Sequence, residues 1–469
     1  MEVIDAINEA RISRFHSKAI LISGMGFFTD AYDLFIIGVA STLIAKQWHL
    51  SATQTGLINS MTLLGAFLGA CVLGRLADLI GRKRIALFDA SMMLVFALAS
   101  AVAPSFIFLV GFRFLLGLGV GGDYPVSAVL MSEYANRKDR GRLVGLVFAM
   151  QALGTVSGYI AGLVLLSVGV DHGLVWRILL GLGAVPSALV LYARLRMPES
   201  PRYLAWVKGD GNGAAQSLQS FSRGEVVATG QARAAERMSL SRFLSNRRLL
   251  LTLLGTAGAW FVFDYAYYGN AVSAPKIVLQ VLGAGATLQQ SLLFNLIVFS
   301  VAAVPGYILA CLFMDRIGHR RLQLIGFPAM GAMFLLIAVI PGVTAATVPF
   351  LLLFGASYFF AEFGPNTTTF VLAAECYPTS IRTTGHGLSA GIAKLGAFMG
   401  VYLFPQISSA FGLTGALEFA AGMALAGTLL TLLLPETSRR SLEDISEEDE
   451  HVPAGLERLV PVGVQAEAV

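Results

Sequence analysis

The chain has 469 residues, 56% of them hydrophobic and 13% charged, with a formal net charge of +4. Soluble domains carry about 25% charged residues, so this composition excludes an ordinary soluble enzyme, and the small positive excess gives no sign of a nucleic-acid partner. What remains is a polytopic membrane protein, with room for about twelve spans at about 20 residues each.

Residues 1–16 are polar and read as a cytoplasmic lead-in. The first apolar run, 18–44, is too long for a signal peptide and carries Asp30 and Asp33, so it is expected to stay as the first span. A second span at 56–76 runs into a tight basic turn, Gly74-Arg75-Leu76-Ala77-Asp78-Leu79-Ile80-Gly81-Arg82-Lys83-Arg84. The third span is placed at 85–103. The fourth, 106–132, holds Arg113 and the stretch Gly117 to Glu133, which sets Asp123 and Tyr124 among glycines. A second basic loop, Asn136 to Arg142, precedes spans at 143–168 and 175–195. Residues 197–247 are polar and form the only long internal loop. Spans seven to twelve are placed at 249–280, 288–313, 322–341, 346–374, 385–410 and 413–434. The tail, 441–469, begins with six carboxylates in ten residues and is expected to be disordered.

The expected organisation is therefore an all-α membrane protein of twelve transmembrane helices. A six-helix half (1–196), a cytoplasmic central loop (197–247), a second six-helix half (248–440) and an acidic cytoplasmic tail (441–469) follow in order. Lys and Arg gather in the loops on one side, which predicts both termini in the cytoplasm and residence in the plasma membrane. Cys71, Cys311 and Cys376 are odd in number and show no disulfide or metal spacing.

The two halves repeat. Asp78 opens Asp-Leu-Ile-Gly-Arg-Lys-Arg and Asp315 opens Asp-Arg-Ile-Gly-His-Arg-Arg, 237 residues on. Pro198-Glu199-Ser200 returns as Pro435-Glu436-Thr437 at the same separation, and Glu133 precedes Arg140 by seven residues as Glu375 precedes Arg382. Parallel six-span repeats with a site between them near the midplane are a transporter plan.

Four polar stretches interrupt the spans: Thr29 to Asp33, Gly121 to Pro125, Trp260 to Tyr268, and Gly364 to Asn366. A charge at membrane depth costs at least about 2.5 kcal/mol and usually faces a cavity. Trp260, Asp264 and Tyr268 are four apart, so one helix face presents an indole, a carboxyl and a phenol. Aromatic residues alone would also suit the membrane interface, but Asp264 does not suit lipid. Asp123 reads either as a structural partner of Arg113 or another helix, or as a proton carrier whose charged form is disfavoured by burial. Gln151 and Asn366 read either as ligand contacts or as interhelical hydrogen-bond glue. Arg113 and Lys394 read as structural ion-pair partners, with tuning of a carboxylate or attraction of an anion as the other reading. Gly117, Gly119 and Gly122 mimic a dinucleotide-binding fingerprint, but no strand precedes them, so close helix packing is the expectation.

These stretches resemble a known family. Gly74 to Arg84 resembles the loop signature of the major facilitator superfamily, and Pro198-Glu199-Ser200-Pro201-Arg202 with Pro435-Glu436-Thr437 is similar to marks shared by sugar porters and phosphate symporters. Gly26 to Phe35, Gly121-Gly122-Asp123-Tyr124-Pro125, Trp260 to Tyr268 and Phe363 to Phe370 resemble the phosphate:proton symporters in particular. That resemblance implies phosphate held by Tyr124, Gln151, Trp260, Asp264, Tyr268 and Asn366. It implies proton movement through Asp123 and one of Asp30 and Asp33. Residues Asn270 to Ala274 depart from the family pattern. Asp78, Arg82, Glu133, Arg140, Asp315, Glu375 and Arg382 are expected to form gating latches on the loop side, with Glu133–Arg140 and Glu375–Arg382 as pairs.

The expected function is a proton-coupled phosphate importer working by alternating access, with inorganic phosphate, protons and the lipid bilayer as partners. No catalytic set, metal site, cofactor, nucleic acid or obligate protein partner is implied. A transporter of a sugar or carboxylate on the same fold, and a non-transporting nutrient receptor, are the alternatives.

Overall fold

A computed structural model of the chain describes residues 3–222, 238–283 and 285–446, together with 224, 226 and 228. The expectation of a disordered tail falls largely on 447–469, and part of the central loop on 229–237; both lie outside the described residues. The membrane helices are α1 (Arg14–Gln47), α2 (Ala52–Ile80), α3 (Arg82–Ala101), α4 (Phe106–Tyr134), α5 (Arg140–Ser167), α6 (His172–Leu195), α7 (Arg247–Leu282), α8 (Leu288–Ile317), α9 (His319–Val339) and α10 (Thr347–Glu375). The last long helical stretch, Arg382–Thr431, is two helices joined at a kink. Gly412 at φ 74° breaks it, a backbone state open to glycine and strained for side-chain-bearing residues, leaving α11 (382–411) and α12 (413–431). Seven of the predicted spans lie inside the observed helices, most of which run further because polar ends continue the helix past the apolar core; the spans placed at 85–103, 143–168, 322–341, 346–374 and 413–434 overrun their helices by one to three residues.

Both ends of the chain meet on one face, where Asn8 Nδ2 donates to Glu443 Oε2 at 3.4 Å. This face is called the terminal face below, and the opposite one the far face. Inside each half the packing is close. Gly117 and Gly121 of α4 press on the α2 backbone at Thr62 and Ala66, where a Cβ would collide with carbonyl oxygens. The glycines that mimic a nucleotide loop are a helix-packing surface, as expected.

The halves meet along two seams. In one, Gly74 and Ala70 of α2 face Thr383 and Gly387 of α11; in the other, Gly145 of α5 faces Cys311 and Met314 of α8. The repeat relates α2 to α8 and α5 to α11, so the same pair of surfaces is used twice.

The repeated motifs explain how the seams are tied. Asp78, at the end of α2, accepts from Thr384 N at 2.7 Å and Thr384 Oγ1 at 2.6 Å, at the start of α11. Asp315, at the end of α8, accepts from Arg142 N at 2.8 Å, at the start of α5. Each aspartate thus caps the positive N-terminus of a helix from the other half. Glu199 accepts from Lys83 N at the start of α3, and Glu436 from His319 N at the start of α9, at 3.3 Å and 2.8 Å. The Pro-Glu-Ser and Pro-Glu-Thr motifs are helix caps within each half.

The charged latches are built differently from the expected pairs. Arg82 contacts Asp78 at 3.1 Å and Glu133 at 3.2 Å, and donates to the Thr379 carbonyl across the seam at 3.1 Å. Arg140 pairs with Glu375 of the other half at 2.9 Å, not with Glu133. Arg382 donates to the Tyr377 carbonyl at 2.9 Å. His319 stands where the repeat places Arg82, and meets Asp315 at 3.2 Å and Glu375 at 3.0 Å. The sequence spacing pointed along one half; the fold instead brings Arg140 to Glu375 of the other half, because α5 starts and α10 ends on the terminal face, while Glu133 meets Arg82 of its own half.

Candidate functional site

The central polar residues converge between the halves. From the first half, α4 supplies Tyr124 and α5 supplies Gln151, whose amide donates to the Tyr124 hydroxyl at 2.9 Å. From the second, α7 supplies Trp260, Asp264 and Tyr268 on one face. The Tyr124 and Tyr268 hydroxyls stand 3.5 Å apart across the interface. Lys394 of α11 enters this group: its Nζ is 2.8 Å from Asp264 Oδ2 and 3.3 Å from Tyr268 Oη. It lies 4.4 Å and 4.5 Å from the ring centres of Tyr124 and Tyr268, a cation held by a carboxylate and two aromatic faces. The Trp260 indole N–H faces Asp264 without closing a hydrogen bond.

Asn366 joins the edge of this group. Pro365 lies in a wide helical turn, Glu362–Asn366, that interrupts α10 and sets Asn366 beside Tyr307 of α8 at 2.9 Å. Such wide turns recur at functional sites. All six predicted contact residues are buried, from 0% exposure at Tyr124 and Trp260 to 3% at Gln151, Tyr268 and Asn366. Aromatic layers close the group on both sides. Phe35 stacks on Tyr268 toward the far face at 5.9 Å. Phe27, Phe148 and Phe370 pack together toward the terminal face, with centroids 4.5–5.5 Å apart. The site is occluded.

The predicted proton carriers divide into two environments. Asp33 lies 3.9 Å from Arg113, which also donates to the Asp33 carbonyl at 2.7 Å. Asp123 pairs with Arg194 and accepts from Ser127 Oγ at 2.8 Å. Arg113 therefore serves Asp33, and the partner of Asp123 is Arg194. Asp30, fully buried with neither carboxyl oxygen hydrogen-bonded, feels the charges of Asp123, Arg194, Asp33 and Lys394. Asp89 adds a further buried carboxyl beside Asp123 and Arg194.

Sequence reading missed Arg194, because it sits at the very end of an apolar run and was counted with the basic loop that follows. It weighed Lys394 without placing it in the site. It also missed Tyr307 and Glu362; a carboxylate four residues before Asn366 in an apolar run was the available signal for the latter.

Two pseudo-repeated six-helix halves closing on an occluded, charged midplane site define a major facilitator transporter. The sugar (and other) transporter family profile matches residues 18–448, and the chain belongs to that family, whose members are transporters rather than enzymes. It is 35% identical to inorganic phosphate transporter 1-11 of Oryza sativa subsp. japonica, over 96% of this chain and 90% of the relative. It is 34% identical to inorganic phosphate transporter 1-1 of the same organism, over 96% and 97%. Its fold matches the MFS proton:xylose symporter XylE bound to 6-bromo-6-deoxy-D-glucose, with a TM-score of 0.76 at 19% identity, covering 92% of this chain and 98% of XylE. That likeness speaks for the fold alone.

Proposed function

We propose that the protein is a proton-coupled inorganic phosphate symporter that imports its substrate across the plasma membrane, with both termini in the cytoplasm. The observation that carries this reading is the Lys394–Asp264 pair, set among Tyr124, Gln151, Trp260 and Tyr268 at the closed midplane. A buried ammonium ringed by neutral donors suits a small oxyanion. The 3.5 Å approach of Tyr124 to Tyr268 favours a small tetrahedral anion over a sugar. The names of the relatives above agree with that substrate.

Coupling follows from charge. Asp264 holds Lys394 in the site. A proton on a neighbouring carboxyl lowers the negative charge that an anion must approach, so proton and anion favour one another's binding. Asp30 is the first-helix aspartate that suits this role, since it feels the charges of Asp123 and Lys394, whereas Asp33 is tied to Arg113. Alternating access would then consist of breaking the Asp78–Thr384, Asp315–Arg142 and Arg140–Glu375 ties on the terminal face while the far face closes.

Competition binding tests the substrate. Purified protein should bind labelled phosphate and release it to unlabelled phosphate, but not to xylose, glucose or small carboxylates. Displacement by a sugar or a carboxylate with no displacement by phosphate would replace this reading with the organic-substrate one.

A further inference from the structure

One buried carboxyl next to the site has no part in the account above. Glu362 is fully buried in α10, in the wide turn that also carries Asn366. Among the described residues no Lys, Arg or His acts on it; the groups turned to it are the Tyr267 hydroxyl from α7, the Tyr307 hydroxyl from α8 and the Asn366 amide, with Tyr358 of α10 close by. Its Oε1 makes no hydrogen bond. A carboxyl at membrane depth without a cation is a functional group by default.

Its link to Asn366 gives those two states different consequences. An Asn side chain has two amide hydrogens. Here both are used: Asn366 Nδ2 donates to Glu362 Oε2 and to Tyr307 Oη. None remains for an anion in the central site. A neutral carboxyl has an O–H to give instead, and the Asn366 carbonyl oxygen can take it once the amide turns over, which frees the amide N–H groups.

A cavity of about 10 Å³ lies among Tyr267, Asn270, Phe334, Phe354, Ser357 and Tyr358, about the volume that holds one water. Asn270 is a turn beyond Tyr267 along α7, and Ser357 a turn before Glu362 on α10, so the cavity lies on the far-face side of Glu362. The Asn270 Oδ1 oxygen, buried and unpartnered, is available to it.

We propose that Glu362 is a proton-binding residue of the second half that switches Asn366 between engaging Glu362 and engaging the substrate anion. Ionised Glu362 withdraws the Asn366 donors. Protonated Glu362, loaded from the far face through the Tyr267–Tyr358 cavity, returns them. No other reactant is consumed: one proton is bound as the anion binds and is released with it. The proposal rests on the reading of Asn366 as a phosphate contact.

Calorimetry of phosphate binding to the purified protein, in buffers of different ionisation enthalpy, counts the protons taken up per phosphate. Proton changes of phosphate itself are common to all variants and cancel. Glu362→Gln mimics the protonated form, since its amide can donate to Asn366. It should keep phosphate affinity at acid pH within about threefold and take up about one proton fewer per phosphate. An unchanged proton count in Glu362→Gln would overturn the proposal, and so would a folded Glu362→Gln protein that no longer binds phosphate. The underlying reading fails separately, by Asn366→Ala binding phosphate as the parent does. In that event, infrared spectroscopy still reads Glu362: a protonated-carboxyl carbonyl band that titrates with pH should be present in the parent and missing in Glu362→Gln, and its persistence in the variant contradicts a proton site.

Discussion

Lys394 Nζ and Asp264 Oδ2 are 2.8 Å apart, both side chains 1% exposed, and this pair joins α11 to α7 at the centre of the membrane. Removing one partner of a buried pair costs about 3–5 kcal/mol, while removing both together costs much less. Lys394→Ala and Asp264→Asn should each lower phosphate uptake more than tenfold, roughly the effect of 1.4 kcal/mol or more. The double variant should regain thermal stability relative to either single one without regaining transport. Melting temperatures and uptake of the four proteins check this; additive losses of stability would show that the two side chains do not act as a pair.

Asp123 and Arg194 make another buried pair. Asp123→Asn keeps the hydrogen-bonding shape and removes the titrating group. Gradient-driven accumulation of phosphate should be lost, while exchange of internal for external phosphate at equal pH continues. Accumulation at the parent level would remove Asp123 from coupling.

The terminal-face ties should set the conformational balance. Glu375→Gln weakens the Arg140 tie at 2.9 Å and the His319 contact at 3.0 Å together. The α5–α8 seam should open more often, and Cys311, buried there at 2% exposure, should react faster with a thiol reagent. An unchanged labelling rate would mean that Glu375 does not latch the seam.

Glu443, in the short helix Leu442–Ser446, pairs with Arg202 of the central loop. Burial opposes its ionisation, but Arg202, a backbone hydrogen bond and the nearby Arg382 and Arg140 together outweigh it and bring its carboxyl from the ordinary 4.5 down to about 2. A depressed carboxyl pKa stabilises the fold above the unfolded value, and the gain is lost as pH falls through the folded value. The melting-temperature gap between the parent and Glu443→Gln should therefore stay constant above about pH 5 and narrow from about pH 4 downward. A gap that changes between about pH 6 and 8 would contradict this assignment.

Much of the site was legible because membrane burial makes polar residues conspicuous. Tyr124, Gln151, Trp260, Asp264, Tyr268 and Asn366 all interrupt apolar runs, and the fold brings them to one place. The duplication was legible from Asp78 with Asp315 and Glu199 with Glu436, whose shared roles as helix caps explain their recurrence. Partnerships were not legible. The Arg140–Glu375 tie and the Arg194–Asp123 pair join residues far apart in the chain, and spacing along a helix says nothing about which acid a base meets across a seam. Gly412 was also silent: one residue of left-handed backbone divides a helical stretch that the apolar pattern had already divided.

The central claim is that one closed site couples phosphate to protons. The most direct measurement is phosphate uptake into liposomes containing the purified protein, with an imposed inward proton gradient and internal pH recorded at the same time. The account predicts phosphate accumulation above the external concentration, acidification of the lumen in step with it, and loss of both in Asp264→Asn. Folded, inserted protein that moves no phosphate, or that moves phosphate with no dependence on the gradient, would contradict it.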